Sequence, residues 1–82
     1  MTNKRMHQLE RKVRINFSNF NQIIHPKCVG IKFLEQISRL MTKMIRIEYY
    51  SNNITISELN FMSCCIRKYY WYYKKMIDNF YD

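Results

Sequence analysis

Five residues of this chain have side chains suited to covalent or metal chemistry: His7, His25, Cys28, Cys64 and Cys65. His25-x-x-Cys28 sets a nitrogen and a sulfur donor at metal-ligand spacing, and Cys64-Cys65 offers more sulfur. A structural zinc site needs two such pairs, at C-x-x-C or H-x-x-x-H spacing. The second pair is missing, so no metal and no cofactor are expected. Free cysteine then behaves as a small hydrophobe, and adjacent Cys64 and Cys65 point in divergent directions on a helix. A cysteine nucleophile needs a histidine within reach in a cleft, and no flanking pattern supports His7 or His25. The six acidic residues are scattered singly, which leaves no carboxylate pair for acid–base work. One glycine precludes a glycine-rich phosphate loop. The expectation is a protein that is not an enzyme and has no small-molecule substrate.

Charge and aromatic rings point to binding instead. Fourteen Lys and Arg stand against six Asp and Glu, a formal charge of +8. Such an excess is relieved by phosphates, acidic lipids or an acidic protein face. Lys4, Arg5, Arg11, Lys12 and Arg14 cluster at one end, where phosphate contact needs only charge and reach. Tyr69-Tyr70-Trp71-Tyr72-Tyr73, interleaved with Arg67, Lys68, Lys74 and Lys75, is competent to stack on single-stranded bases. At helical spacing such a stripe is more often core or partner interface. The stretch from Arg67 to Phe80 is also basic, aromatic and amphipathic, the pattern of a membrane-surface helix.

The elements that must carry these residues are helices. Gly30 and Pro26 are the only glycine and proline, and they punctuate one place, His25-Pro26-Lys27-Cys28-Val29-Gly30. Ser51-Asn52-Asn53 is a second polar break. The first segment, about 5–24, carries Val13, Phe17, Phe20 and Ile24 at helical spacing, and Pro26 stops it. The second, about 31–50, carries Phe33, Ile37, Leu40, Met44 and Ile47 at alternating steps of four and three, widened by Leu34, Met41 and Ile45. The third, about 58–80, carries Leu59, Met62, Ile66, Tyr69, Tyr73, Met76 and Phe80. Thr55 with Glu58 spells a capping box before it, with Ser57 as an alternative N-cap. The reading is all-α: a basic N-terminal arm over 1–14 and a single helical domain over 15–82.

With 82 residues there is one domain and a marginal core. Chains this short usually need a staple. Apolar residues make up 48% and aromatics 16%, more than one thin bundle hides, so a partner chain is the first candidate. Its expected interface is Phe33, Ile37, Leu40, Met44 and Ile47 with Tyr69, Trp71, Tyr73 and Met76. The lean toward Asn, Ile, Lys, Tyr and Phe follows AT-rich codons, which discounts the aromatic count. Three cysteines without a leading apolar segment argue for a reducing compartment. No run approaches the ~20 apolar residues of a membrane span.

Two loop signatures carry a family resemblance. Ile15-x-Phe17-x-x-Phe20-x-x-x-Ile24-His25-Pro26, followed by Gly30-Ile31, resembles the end of the first core helix of a histone H2B. Leu40, Ile47 and Tyr50 before Ser51-Asn52-Asn53 and Thr55-Ile56-Ser57 are similar to the end of the central helix and the second loop of that family. The likeness covers about residues 13–67. The stretch from Gly30 to Thr55 is shorter than the family's by roughly three turns, and the third segment is longer. The resemblance implies a histone-fold-like unit, an obligate heterodimer with another helical chain, and backbone contacts to DNA. Matching positions for those contacts are Lys27, Lys32 and Thr55, added to the arm's Lys4, Arg5, Arg11, Lys12 and Arg14. It implies a nucleus or virus factory as the setting. The alternatives are a three-helix up-down bundle serving a larger protein or ribonucleoprotein assembly, or a peripheral membrane binder.

Overall fold

Apolar residues three and four apart give each segment one face that must leave water, and the chain satisfies all three faces by packing helix on helix. The computed structural model describes residues 3–20 and 27–81. They form α1 (Asn3–Phe20), α2 (Lys27–Tyr50) and α3 (Ile56–Tyr81). No strand occurs among the described residues. The all-α, three-helix expectation therefore holds.

Cross-helix pairs give the directions. Arg5 of α1 reaches Glu58 of α3, and Phe17 lies against Tyr69 and Tyr73. Sequence number rises together on both, so α1 and α3 run parallel. The short turn between α2 and α3 makes that pair antiparallel. The result is an up-down-up bundle about as long as α3 itself, 42 Å overall. Helix lengths of 18, 24 and 26 residues are similar, the proportions of the up-down alternative.

α3 is the platform. It packs against both other helices, whereas α1 and α2 touch each other least. The core comprises Leu9, Val13 and Phe17 of α1, Leu34, Met41 and Ile45 of α2, Ile54 of the turn, and Met62, Cys65, Ile66 and Tyr73 of α3. Phe17 is wholly buried. Its ring stacks on Tyr69 at 5.9 Å and Tyr73 at 5.8 Å between centroids.

Local chemistry ends α2 and starts α3. Asn52 adopts a left-handed φ of 63°. Its N–H donates to the Tyr49 carbonyl, and the Asn53 N–H donates to that of Glu48, closing a Schellman motif. Asparagine tolerates that backbone better than other residues with a Cβ. Thr55 and Glu58 then form the expected capping box. The Thr55 N–H donates to Glu58 Oε1 at 2.8 Å, and the Glu58 N–H donates to Thr55 Oγ1 at 3.1 Å.

Two expectations are corrected. Residues 4–14 are not an arm outside the domain: they lie in α1, with Leu9 and Val13 in the core. Met6, Leu9, Val13 and Phe17 recur at steps of three, four and four, so one face of that charged stretch is apolar. On α2 the regular row, expected at a partner interface, lies mostly outside the core. Leu34, Met41 and Ile45 are buried, while Leu40, Met44 and Ile47 are 59%, 58% and 62% exposed. Finally Tyr73, expected at a partner interface, belongs to this chain's own core, and half-buried Tyr69 packs against that core. The segment His25-Pro26 lies outside the described residues, as do the side chains of Lys27, Cys28 and Phe20.

Paired alanine substitutions test the orientation of α2. Leu34→Ala should cost about 2–5 kcal/mol of unfolding free energy. Leu40→Ala should change it by no more than about 0.5 kcal/mol. Denaturant titration of the two variants reads the difference, and equal costs would mean that α2 is rotated.

Candidate nucleic-acid interface

Helical periodicity divides the exposed half of α2 into two bands. Lys32, Arg39, Lys43 and Arg46 each precede one of Phe33, Leu40, Met44 and Ile47, so each lies about 100° around the helix from its neighbour. The apolar band borders α1 and the basic band borders α3. Arg39, Lys43 and Arg46 line a groove of about 410 Å³ between α2 and α3, together with Arg67 and Tyr70 of α3. The buried Ile66 lies at its floor. Glu35 is the one carboxylate there. It meets Arg39 at 3.9 Å, with the arginine side chain 78% exposed. Such a pair is weak in water, so Arg39 keeps most of its charge available. Beyond the groove Trp71 is 62% exposed, and the Lys74 ammonium sits 4.7 Å from its ring centroid.

The cations expected at the N-terminus have a different setting. Lys4, Arg11, Lys12 and Arg14 are exposed on α1. Arg5 is engaged. Its Nε donates to Glu58 Oε2 at 2.9 Å, and its Nη2 contacts the Asn53 carbonyl at 3.5 Å. Arg5 therefore fastens the start of α1 to the α2–α3 turn. Lys32 is exposed on α2, and Thr55 is exposed with its hydroxyl oxygen accepting in the cap. These residues are spread over both ends and two faces of the bundle. The groove cations Arg39, Lys43, Arg46 and Arg67 are the concentrated set. They were not singled out as a phosphate site from sequence, because three lie on one helix and the fourth on another. The spacing 39, 43, 46 was the available signal.

The residues suited to covalent chemistry do meet in part. His7, Glu10, Cys64 and Cys65 line a groove of about 600 Å³ between α1 and α3. Among the described residues no three His, Cys, Asp or Glu are grouped to hold a metal. Cys64 is exposed and Cys65 buried, as their adjacency on a helix requires. Burial, then the Glu10 charge, pushes the Cys65 thiol up, which disfavours the thiolate a nucleophile needs. Burial also pushes the Tyr69 phenol up to about 12, helped by its hydrogen bond to Glu10. The phenol stays protonated at neutral pH and donates to the Glu10 carboxylate. That bond ties α1 to α3 next to Phe17.

Among the described residues no helix is long and apolar enough to cross a membrane. No family model, curated protein or solved structure matches the chain.

Glu58 gives the fold an acid response. The Thr55 N–H, and then Arg5, hold its carboxyl below the usual carboxylate range. A depressed folded pKa contributes stability above the unfolded value of about 4.3, and that stability is lost as pH falls through the folded pKa. Between about pH 5 and pH 3 the wild-type denaturation midpoint should fall more steeply than that of Glu58→Gln. Parallel slopes would detach the cap from the acid response.

Proposed function

We propose that this chain is a non-enzymatic nucleic-acid-binding subunit that holds a phosphate backbone, DNA in the first place, along the α2/α3 groove. The observation that carries the reading is the convergence of Arg39, Lys43, Arg46 and Arg67 on one groove whose lining holds a single carboxylate, Glu35. Arginine presents a planar fork of donors that matches phosphate oxygens. Three arginines and a lysine along two helices suit a repeating anion better than a single small one. The contacts are to backbone, so binding is independent of base sequence. Trp71, exposed and braced by Lys74, adds a stacking ring for an unpaired base. The exposed cations of α1 extend the positive field around the bundle.

The histone resemblance adds a heterodimer with another helical chain and contacts at Lys32 and Thr55. Both are exposed, one near each end of α2. DNA as the ligand would set the protein in a nucleus or virus factory. A second reading, a helical subunit held in a larger assembly by protein contacts, is favoured by the exposure of Leu40, Met44 and Ile47. The two readings differ in salt dependence.

Anisotropy titration of labelled duplex DNA at several salt concentrations tests the first. Log affinity should fall linearly with log salt. Replacing Arg39, Lys43, Arg46 and Arg67 together with Gln should reduce the slope by about 3–4, close to one per lost phosphate contact. Trp71→Ala should weaken single-stranded DNA more than duplex. Salt-insensitive binding, or a quadruple variant that binds like wild type, would remove the groove from the mechanism.

A further inference from the structure

The groove on the other side of α2 is apolar. It has a volume of about 520 Å³ and lies between α1 and α2, where the two helices touch least. Met41 and Ile45 form its floor, and Ile15, Met44 and Ile47 line it higher up. Leu40 continues the same row along α2 and is more than half exposed. Cations border this apolar strip on both sides. Lys43 and Lys32 run along the α3 side, and Lys12 stands on the α1 side. Glu48 is the one acid lining the groove.

We infer that the α1/α2 groove and the strip beside it dock an amphipathic helix of another protein, one whose apolar row is flanked by Asp and Glu. The secondary structure of the occupant follows from hydrogen bonding. The walls are helices whose backbone groups are already paired, so they offer no edge to an extended segment. A segment buried there must satisfy its own N–H and C=O groups, which a helix does. The exposed row Leu40, Met44 and Ile47 spans about 10 Å, roughly two turns of such a helix. It offers the i, i+4, i+7 spacing that helix-in-groove recognition uses. Met41 and Met44 give the surface room to adapt to its occupant.

The flanking charge of the occupant follows from the border. A second copy of this chain would bring +8 to a surface already lined by cations. Its Glu10 and Glu58 are engaged within their own chain. A helix with acidic flanks removes that repulsion and meets Lys12 on one side and Lys43 on the other. The inference shares Lys43 with the phosphate reading but places its occupant in the opposite groove.

Three labelled helical peptides test it against the full chain by anisotropy. Two share leucines at i, i+3, i+4 and i+7 and carry either Glu or Lys flanks. The third keeps the Glu flanks and has Gln for each leucine. The Glu-flanked leucine peptide should bind, and each of the others should bind at least about tenfold more weakly, a difference of about 1.4 kcal/mol. Leu40→Glu and the milder Met44→Gln change exposed positions and should keep the helical circular dichroism. Each should weaken the leucine peptide, the former by about tenfold or more, with affinity for duplex DNA through the α2/α3 groove not reduced for Met44→Gln. Equal binding of the Glu and Lys peptides would overturn the inference, as would full binding by the Gln peptide or no binding by the Glu-flanked leucine peptide. A wild-type dimer in sedimentation that Leu40→Glu dissolves would also overturn it, because the occupant would then be a second copy.

Discussion

The seat of Phe17 between Tyr69 and Tyr73 decides the layout of the molecule. It commits α1 to α3 rather than to α2. Phe17 is fully buried, and removing such a ring from a core costs about 3–5 kcal/mol. That is a large part of the about 4–12 kcal/mol expected of a chain this length. The Tyr69–Glu10 hydrogen bond and the Arg5–Glu58 ion pair hold the same two helices together at further points. With α1 held there, α2 has only α3 as a close neighbour along its full length. The α1/α2 seam stays open, and the outer half of α2 meets water.

Both proposed surfaces lie on that outer half. A helix packed on one side only has a wide arc to fill. Here the arc holds an apolar band beside α1 and a basic band beside α3. The basic band becomes a concentrated site because Arg67 of α3 faces it across a groove. The apolar band becomes a surface because α1 turns away from it. The +8 charge is thus not spread evenly. Arg5 is consumed in holding the fold, Glu58 is shared between that ion pair and the α3 cap, and the groove cations remain to bind.

Much of this was legible in the residues. The three helices follow from apolar spacing, and the α2–α3 junction from Ser51-Asn52-Asn53 and the Thr55–Glu58 box. Phe17 reads as core because it sits in a row with Val13. Other features were hidden for specific reasons. Leu9 is a single apolar residue between polar neighbours, so the first turns of α1 read as a solvated arm, although Met6 and Leu9 continue the row of Val13 and Phe17. On α2 two apolar rows lie side by side, and periodicity cannot say which faces inward. The more regular row proved to be the outer one. The choice was made by fit against Ile66 and Tyr73 of α3, a relation between distant positions. The cationic groove was hidden for the same reason, since Arg67 joins the α2 cations only through tertiary packing.

The exposure of the outer row of α2 can be read directly by oxidation of methionine with dilute peroxide, followed by mass spectrometry of the native chain. Met44 is 58% exposed, whereas Met41 and Met62 are 5% and 7% exposed. Sulfoxide should form at Met44 well before it forms at Met41 or Met62. Met44 protected as strongly as Met41 would contradict the open seam and the orientation of α2 on which both proposed surfaces rest.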